Sequence, residues 1–403
     1  MKTIALIDLQ SGGHRNAFMC LFAQACLQNN SKVICLFPES QVIKDWITIH
    51  EEKHLNNIIF IDFKPQLIFY KKFGRFNDCI RVFKYWKQCN QTLKKIEKQH
   101  QLKIDLVFFN WMDSQMANYL PDFILDNIFN YKWSGLYFHP TAFRINSEYL
   151  KNKTTFRDID SVFLAKNCVA IAIHDEEILS GISNRLNKIV LLFPETADTS
   201  PPYSTHPLAK IIKDKANNRT VVGIIGLEPY KGTLSLLRLV SKSDSSIFFF
   251  AFTGDFKESF IAGLSENEKK EFNNFIQNLP DNCIWQTGSL EEGEEYNSVF
   301  CSFDIVYIMY KHFYSSSNRL TKAAHFNKIV LGNNYGCIGD DIPKYNLGET
   351  ADENNIEEQY HKLEILRNRI LAKEFPYEQW KKYAEKHSTE RLKEKFEELL
   401  NLI

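Results

Sequence analysis

The segment Thr220-Val221-Val222-Gly223-Ile224-Ile225-Gly226-Leu227-Glu228-Pro229-Tyr230-Lys231-Gly232-Thr233, running into Leu234, Leu236, Leu237 and Leu239, sets the architecture expected of this chain. A β-branched apolar run ends on a glycine, passes through a Pro-Tyr-Lys-Gly turn and opens a helix with helically spaced leucines, which is the strand–loop–helix unit of a parallel sheet. In open parallel sheets ligands lie beyond the carboxyl ends of the strands, so this loop is a place for chemistry. Gly226 and Gly232 let the backbone come close to a ligand, and Lys231 adds a point charge where the amides of a helix start already favour an anion. That suits a diphosphate; Glu228 stands in the same turn. A solvated lysine at a helix start is the plainer alternative.

Working outward, short apolar runs alternate with helical patterns on both sides. Downstream, strands are expected at 246–253, 283–286, 304–309 and 329–332; upstream, at 3–8, 32–37, 57–63, 104–109, 135–139, 169–173 and 189–193. Two successive doubly wound α/β domains are the simplest architecture. Residues 1–195 form the first and 219–375 the second. Between them 196–218 reads as a linker, because 194–207 is rich in proline, serine and threonine. Pro376 opens a terminal helical segment, 376–403, in which Leu392, Phe396, Leu399 and Leu400 recur at helical spacing and should pack on a domain.

The composition bounds the function. The 403 residues, 44% hydrophobic and 24% charged, form a soluble globular chain of two or three domains. Forty-nine basic residues balance 49 acidic ones, so nothing attracts the whole protein to nucleic acid. The nine cysteines are scattered and never spaced C-x-x-C, against both a disulfide framework and a zinc site, and they read as buried thiols in a reducing cytoplasm. Residues 1–8 read as a first strand rather than an export tag, and nowhere do about 18 uncharged apolar residues run together.

Other loops share the expected sheet edges. Ser11-Gly12-Gly13-His14 follows the first strand and precedes an apolar helix; it offers a close backbone approach, or else is a tight turn with a surface histidine. Phe313 to Asn318 leads through Ser315, Ser316 and Ser317 into a helix with Arg319, placing hydroxyls, an amide and helix-start N–H groups at one junction; an N-cap cluster would explain one of these residues but less well all four. Gly336-Cys337-Ile338-Gly339 follows the next strand.

Lys231-Gly232 with its leucine-rich helix, the serine turn, the alanine-containing helix after it and Gly336-Cys337-Ile338 together resemble the donor-binding half of GT-B glycosyltransferases, especially those like family 4. The resemblance spans nearly the whole chain. It implies two Rossmann-like domains facing each other across a cleft, with the C-terminal helices crossing back. It implies transfer of a sugar from a nucleoside-diphosphate sugar, as co-substrate and without a metal or other cofactor, to a glycan or lipid-linked acceptor in bacterial glycan or polysaccharide biosynthesis. Lys231 would neutralise the donor diphosphate, with Gly226, Glu228 and Gly232 around it and Ser316, Ser317, Asn318 and Arg319 near phosphate or sugar. Gly336, Cys337 and Ile338 would touch the donor by main chain. His139 would face the transferred sugar, or merely closes a strand before Pro140; Ser11, Gly12, Gly13 and His14 would lie on the acceptor side. The chain departs from the family at three places: Tyr314 and Lys322 stand where two glutamates are usual, and Leu227 where an arginine is, so Lys231 lacks a basic companion unless Arg319 turns inward. The missing glutamates leave open a scaffold without catalysis. Asp158-Ile159-Asp160 reads as surface or capping rather than as a metal motif.

Finally, residues 71–103 carry ten basic residues against two acidic ones, interleaved with Phe69, Phe73, Phe76, Ile80, Phe83, Leu93 and Ile96 at helical spacing. The apolar stripe faces a core, and the basic face of 69–103 suits an anionic membrane surface. The expected location is cytoplasmic, with peripheral attachment at the inner face of the membrane.

Overall fold

The apolar runs pair in parallel into two separate sheets. The computed structural model describes residues 1–65, 76–256 and 258–403, and the chain falls into two units, Met1–Thr196 with Ser388–Ile403, and Ala197–His387. The first unit runs β1 (Thr3–Ile7), α1 (His14–Gln28), β2 (Lys32–Phe37), α2 (Ser40–His50), β3 (Ile58–Asp62), α3 (Asn77–His100), β4 (Leu106–Phe109), α4 (Asp122–Ile128), β5 (Trp133–Gly135), α5 (Thr141–Ile145), α6 (Ser147–Lys151), β6 (Ile171–Ile173), α7 (Leu179–Leu186) and β7 (Val190–Leu192). The second runs α8 (Pro207–Ala216), β8 (Thr220–Leu227), α9 (Thr233–Lys242), β9 (Phe248–Phe256), α10 (Glu258–Ala262), α11 (Glu266–Gln277), β10 (Cys283–Thr287), α12 (Glu294–Cys301), β11 (Ile305–Ile308), α13 (Asn318–His325), β12 (Ile329–Asn333), α14 (Gly336–Lys344), β13 (Gly348–Ala351), α15 (Ile356–Ala372) and α16 (Tyr377–Lys386). The last helix, α17 (Thr389–Leu400), belongs to the first unit.

The sheets are ordered β3-β2-β1-β4-β5 and β10-β9-β8-β11-β12-β13, with every pairing parallel. In each, the chain works outward from the first strand and then returns to its other side. That reversal leaves a crevice at the carboxyl ends of β1 and β4, and another at those of β8 and β11. β6 and β7 pair separately, beside the bridges Trp133–Cys168 and Leu136–Ala172. The central strands β1, β2 and β4 are buried on both faces, which is why they read as continuous apolar runs.

Four sequence readings are revised. Within 196–218, read as linker, α8 buries Ile212 and Ala216 in the core of the second unit; Pro207 fits the first helical turn, where no N–H is needed, so here proline starts a helix. The segment 376–403 divides. α16 buries Trp380 and Tyr383 in the second unit, whereas α17 buries Leu392, Phe396, Leu399 and Leu400 against Phe22, Phe108 and Phe193 of the first. The strand expected at 135–139 ends at Gly135, because the amides of Phe138 and His139 turn onto Asp113. Asp160 is fully buried rather than on the surface: Arg185 Nε donates to it at 3.0 Å and the Tyr149 hydroxyl at 2.8 Å. No helix among the described residues is long and apolar enough to cross a membrane.

Candidate functional site

In the second unit the loops after β8, β11 and β12 leave the sheet at neighbouring strands. Gly226 has φ +75° and Gly232 φ +79°; a Cβ on Gly232 would lie 2.3 Å from the Met309 carbonyl oxygen, so only glycine lets α9 start this close to β11. The turn between them folds Lys231 back over its own strand. Lys231 Nζ lies 2.8 Å, and Arg319 Nη2 3.5 Å, from where a Cβ on Gly226 would sit. Arg319 turns inward and supplies Lys231 with the second positive charge that Leu227 does not.

Both cations are buried, Lys231 at 9% exposure and Arg319 at 3%. Lys231 pairs with Glu228 at 3.0 Å. Arg319 Nη2 donates to the Ile225 carbonyl, and the guanidinium lies 5.6 Å from the Tyr310 ring centre. Its Nε and Nη1 are buried with no hydrogen-bond partner among the described residues. A guanidinium does not shed its proton, and leaving its donors unmet away from water is costly. An anion bridging the two cations would relieve that cost.

The serine turn adds donors beside them. Ser315, Ser316, Ser317 and Asn318 are all buried. Ser317 is the N-cap of α13 without a side-chain cap bond, and the Ser316 hydroxyl has no partner among the described residues. The β12 loop is fastened to this turn: a Cβ on Gly336 would lie 2.6 Å from Tyr314 Cα, and the Cys337 amide donates to the Tyr314 carbonyl at 3.0 Å. That amide is therefore engaged within the protein, and the Ile338 side chain is core, packed over Gly332. Lys322, where the resemblance puts a glutamate, is a buried ammonium bonded to Asn297 Oδ1 at 2.6 Å, the Asp198 carbonyl at 2.7 Å and Glu292 Oε1 at 2.7 Å.

In the first unit Ser11, Gly12, Gly13 and His14 form the loop into α1. Gly12 has φ +103° and Gly13 φ +53°, and a Cβ on either would meet nothing within 4 Å. Three residues that sequence reasoning missed gather here. Arg15 binds Asp8, donates to the Ser114 hydroxyl at 3.2 Å and lies 4.4 Å over the Trp111 ring. Trp111 stacks on Phe138 at 4.1 Å and lies 5.7 Å from the His139 ring. Asp113 accepts the Phe138 and His139 amides at 2.9 Å each. For Trp111 and Asp113 the one signal was position: Asn110-Trp111-Met112-Asp113 directly follows strand β4 at the carboxyl edge. Burial pushes the Asp8 carboxyl up to about 6 against the pull of Arg15. Desolvation lowers the pKa of His139; Asp113 opposes this and Arg15 adds to it.

No family model matches this sequence, and no curated protein matches it. Solved structures do. The chain is similar to sucrose-phosphate synthase from Thermosynechococcus elongatus at 13% identity, over 100% of this chain and 98% of that one, with a TM-score of 0.69. It is similar to Anabaena HepE, solved in complex with UDP and glucose, at 13% identity over 100% of both chains, TM-score 0.65. A glycosyltransferase from Rickettsia africae matches at 14% identity over 99% of this chain and 97% of that one, TM-score 0.63. Two parallel sheets wound in the same order, with full-length likeness to these enzymes, give the chain the GT-B fold.

Proposed function

We propose that the protein is a glycosyltransferase that moves a sugar from a nucleoside-diphosphate sugar to an acceptor hydroxyl, with the donor diphosphate at Lys231 and Arg319. The observation that carries this reading is the convergence of those two buried cations on Gly226, one with unmet donors. When the bond between anomeric carbon and phosphate oxygen breaks, the electron pair stays on the phosphate, and preorganised positive charge and N–H groups stabilise it there. Lys231, Arg319, Ser316 and the start of α13 supply that charge and those donors, so the reading needs no metal ion. Uridine diphosphate is the first donor to test, since the similar Anabaena protein was solved with it.

His139 stands as the residue facing the transferred sugar, with Asp113 fixing the backbone that presents it. The loop 11–14 and Arg15 stand on the acceptor side. For the acceptor we favour a glycan or lipid-linked hydroxyl in polysaccharide biosynthesis, reached at an anionic membrane surface. The support is α3, which buries Val82, Trp86, Cys89, Leu93 and Ile96 and exposes Lys87, Lys94, Lys95 and Lys98. Phe69, Lys71, Lys72, Phe73 and Arg75 of the same basic segment lie outside the described residues.

The test is thermal denaturation with UDP and GDP and with their sugar conjugates, followed by a product assay on the best binder. Binding without turnover is the outcome that favours a scaffold, a reading motivated by Tyr314 and Lys322 in place of the usual glutamates. A melting curve moved by no nucleoside diphosphate overturns both.

A further inference from the structure

β6 and β7 lie side by side in parallel, Ile173 opposite Leu192, and the residues that follow them, His174 and Phe193 to Glu195, meet beyond the strand ends. The Phe193 amide donates to the Ile173 carbonyl at 2.8 Å. His174 Nδ1 lies 3.1 Å from the Phe193 carbonyl oxygen and its Nε2 3.2 Å from Glu195 Oε2. Both side chains are closed off from solvent, at 3% and 2% exposure. The imidazole lies nearly parallel to the Phe18 ring at 5.9 Å and at right angles to that of Phe138 at 5.4 Å.

A carbonyl oxygen only accepts, so Nδ1 carries the proton that bonds Phe193. Nε2 of the neutral ring is then a lone pair, with no other hydrogen-bond partner among the described residues. An ionised carboxylate facing it would set one acceptor against another in a space closed to water. The contact therefore holds one proton between Nε2 and Oε2. On the oxygen, that proton leaves both groups neutral; on the nitrogen, it makes a buried ion pair. Burial among aromatic rings favours the neutral form. In the same sense burial pushes the Glu195 pKa up to about 8 and that of His174 down to about 4.

Glu195 stands at a joint, since the chain leaves the first unit after Thr196. The ring that it bonds also backs Phe138, which stacks on Trp111 beside His139. Two other ionisable groups stand near. His139 disfavours a second charge on His174. Asp175, the next residue along the chain, is neutralised by Arg144 of α5, whose Nε and Nη2 lie 2.5 and 2.6 Å from it.

We propose that Glu195 and His174 form a one-proton latch: Glu195, as a carboxylic acid, donates to His174 Nε2 and fastens residues 193–196 to the end of β6, and loss of that proton releases them. The proton goes to solvent, and the carboxylate, left opposite a lone pair, turns out to water. The latch does not depend on the identity of the donor or the acceptor.

The experiment is hydrogen exchange of the full chain between pH 6.5 and 8, corrected for the intrinsic rate of exchange, beside nitrogen-15 NMR of the histidine rings. In the wild type, opening of 193–196 should rise on the order of tenfold across that window, and at pH 8 the segment should exchange ahead of β1. In Glu195→Gln, whose amide donates to Nε2 at every pH, opening should not rise. An equal rise in the variant overturns the latch, as does a wild type that stays flat. Exchange of 193–196 at one rate with β1 also overturns it, because the segment would then open only with the whole unit. Should the variant fail to fold, the wild-type ring decides: His174 protonated on Nδ1 and bare on Nε2 at pH 7 is expected, and a proton on Nε2 overturns the proposal.

Discussion

Lys231 Nζ and Arg319 Nη2 meet over Gly226, 2.8 and 3.5 Å from the point where a side chain on that glycine would begin. Two buried positive charges drawn to one residue do not serve the stability of the free protein. Arg319→Met keeps the bulk and removes the unmet donors, so the free variant should be as stable as the wild type or more so by about 1–3 kcal/mol. It should lose the thermal shift given by a nucleoside diphosphate, and Lys231→Ala should lose it too. An Arg319→Met protein that melts lower and still binds would contradict the assignment.

His139→Ala should lower turnover by roughly 10²-fold while leaving nucleotide affinity unchanged, because His139 lies in the first unit and the proposed diphosphate site, Lys231 and Arg319, in the second. Steady-state kinetics beside calorimetry separates the two effects. Weakened nucleotide binding in this variant would place His139 elsewhere.

The pH dependence of stability should carry the mark of Glu195. This carboxyl is 2% exposed and faces His174 Nε2 at 3.2 Å; burial pushes its pKa up to about 8 and that of His174 down to about 4. Between about 4.5 and 8 the folded state keeps the Glu195 proton that the unfolded chain releases, so stability from this group falls as pH rises. Between about 4 and 6.5 the unfolded chain protonates His174 while the folded state does not, so stability falls as pH drops. The slopes oppose each other up to about 6.5, and above it Glu195 acts alone. Glu195→Gln should therefore gain in melting temperature relative to the wild type between pH 6.5 and 8; a constant difference across that window counts against the buried acid.

Phe396 stands within 5.4 Å of Phe22, 5.1 Å of Phe108 and 5.3 Å of Phe193, ring centre to ring centre. Phe396→Ala should cost about 3–5 kcal/mol, read by denaturant unfolding. A cost below about 1 kcal/mol would mean that α17 adds little to the first unit.

The exposed lysines of α3 should bind vesicles containing anionic lipid and not neutral ones, with affinity falling as salt rises. Reversing Lys87, Lys94, Lys95 and Lys98 to glutamate should abolish co-sedimentation. Equal indifference of the wild type to both vesicle types removes the membrane reading.

The sequence by itself determined the alternation of strands and helices, the positions of the loops after β1, β8, β11 and β12, and the helical stripe of α17. These are carried by the spacing of consecutive residues, which is local. It misread 207–216, because proline marks the start of a helix as readily as a break, and it put Asp160 outside, because a short acidic motif does not reveal the arginine that will meet it. Only the tertiary structure decided which way Arg319 points. Its place at the first turn of a helix was legible, but its convergence with Lys231 depends on β11 pairing with β8, Ile305 opposite Val222 and Val306 opposite Gly223. The same holds for Lys322 with Glu292, for Arg15 with Asp8 and Trp111, and for Asp113 beneath His139. Periodicity is a property of neighbours along the chain, whereas a site is assembled by strand order, which joins residues whose separation in sequence carries no signal of their contact.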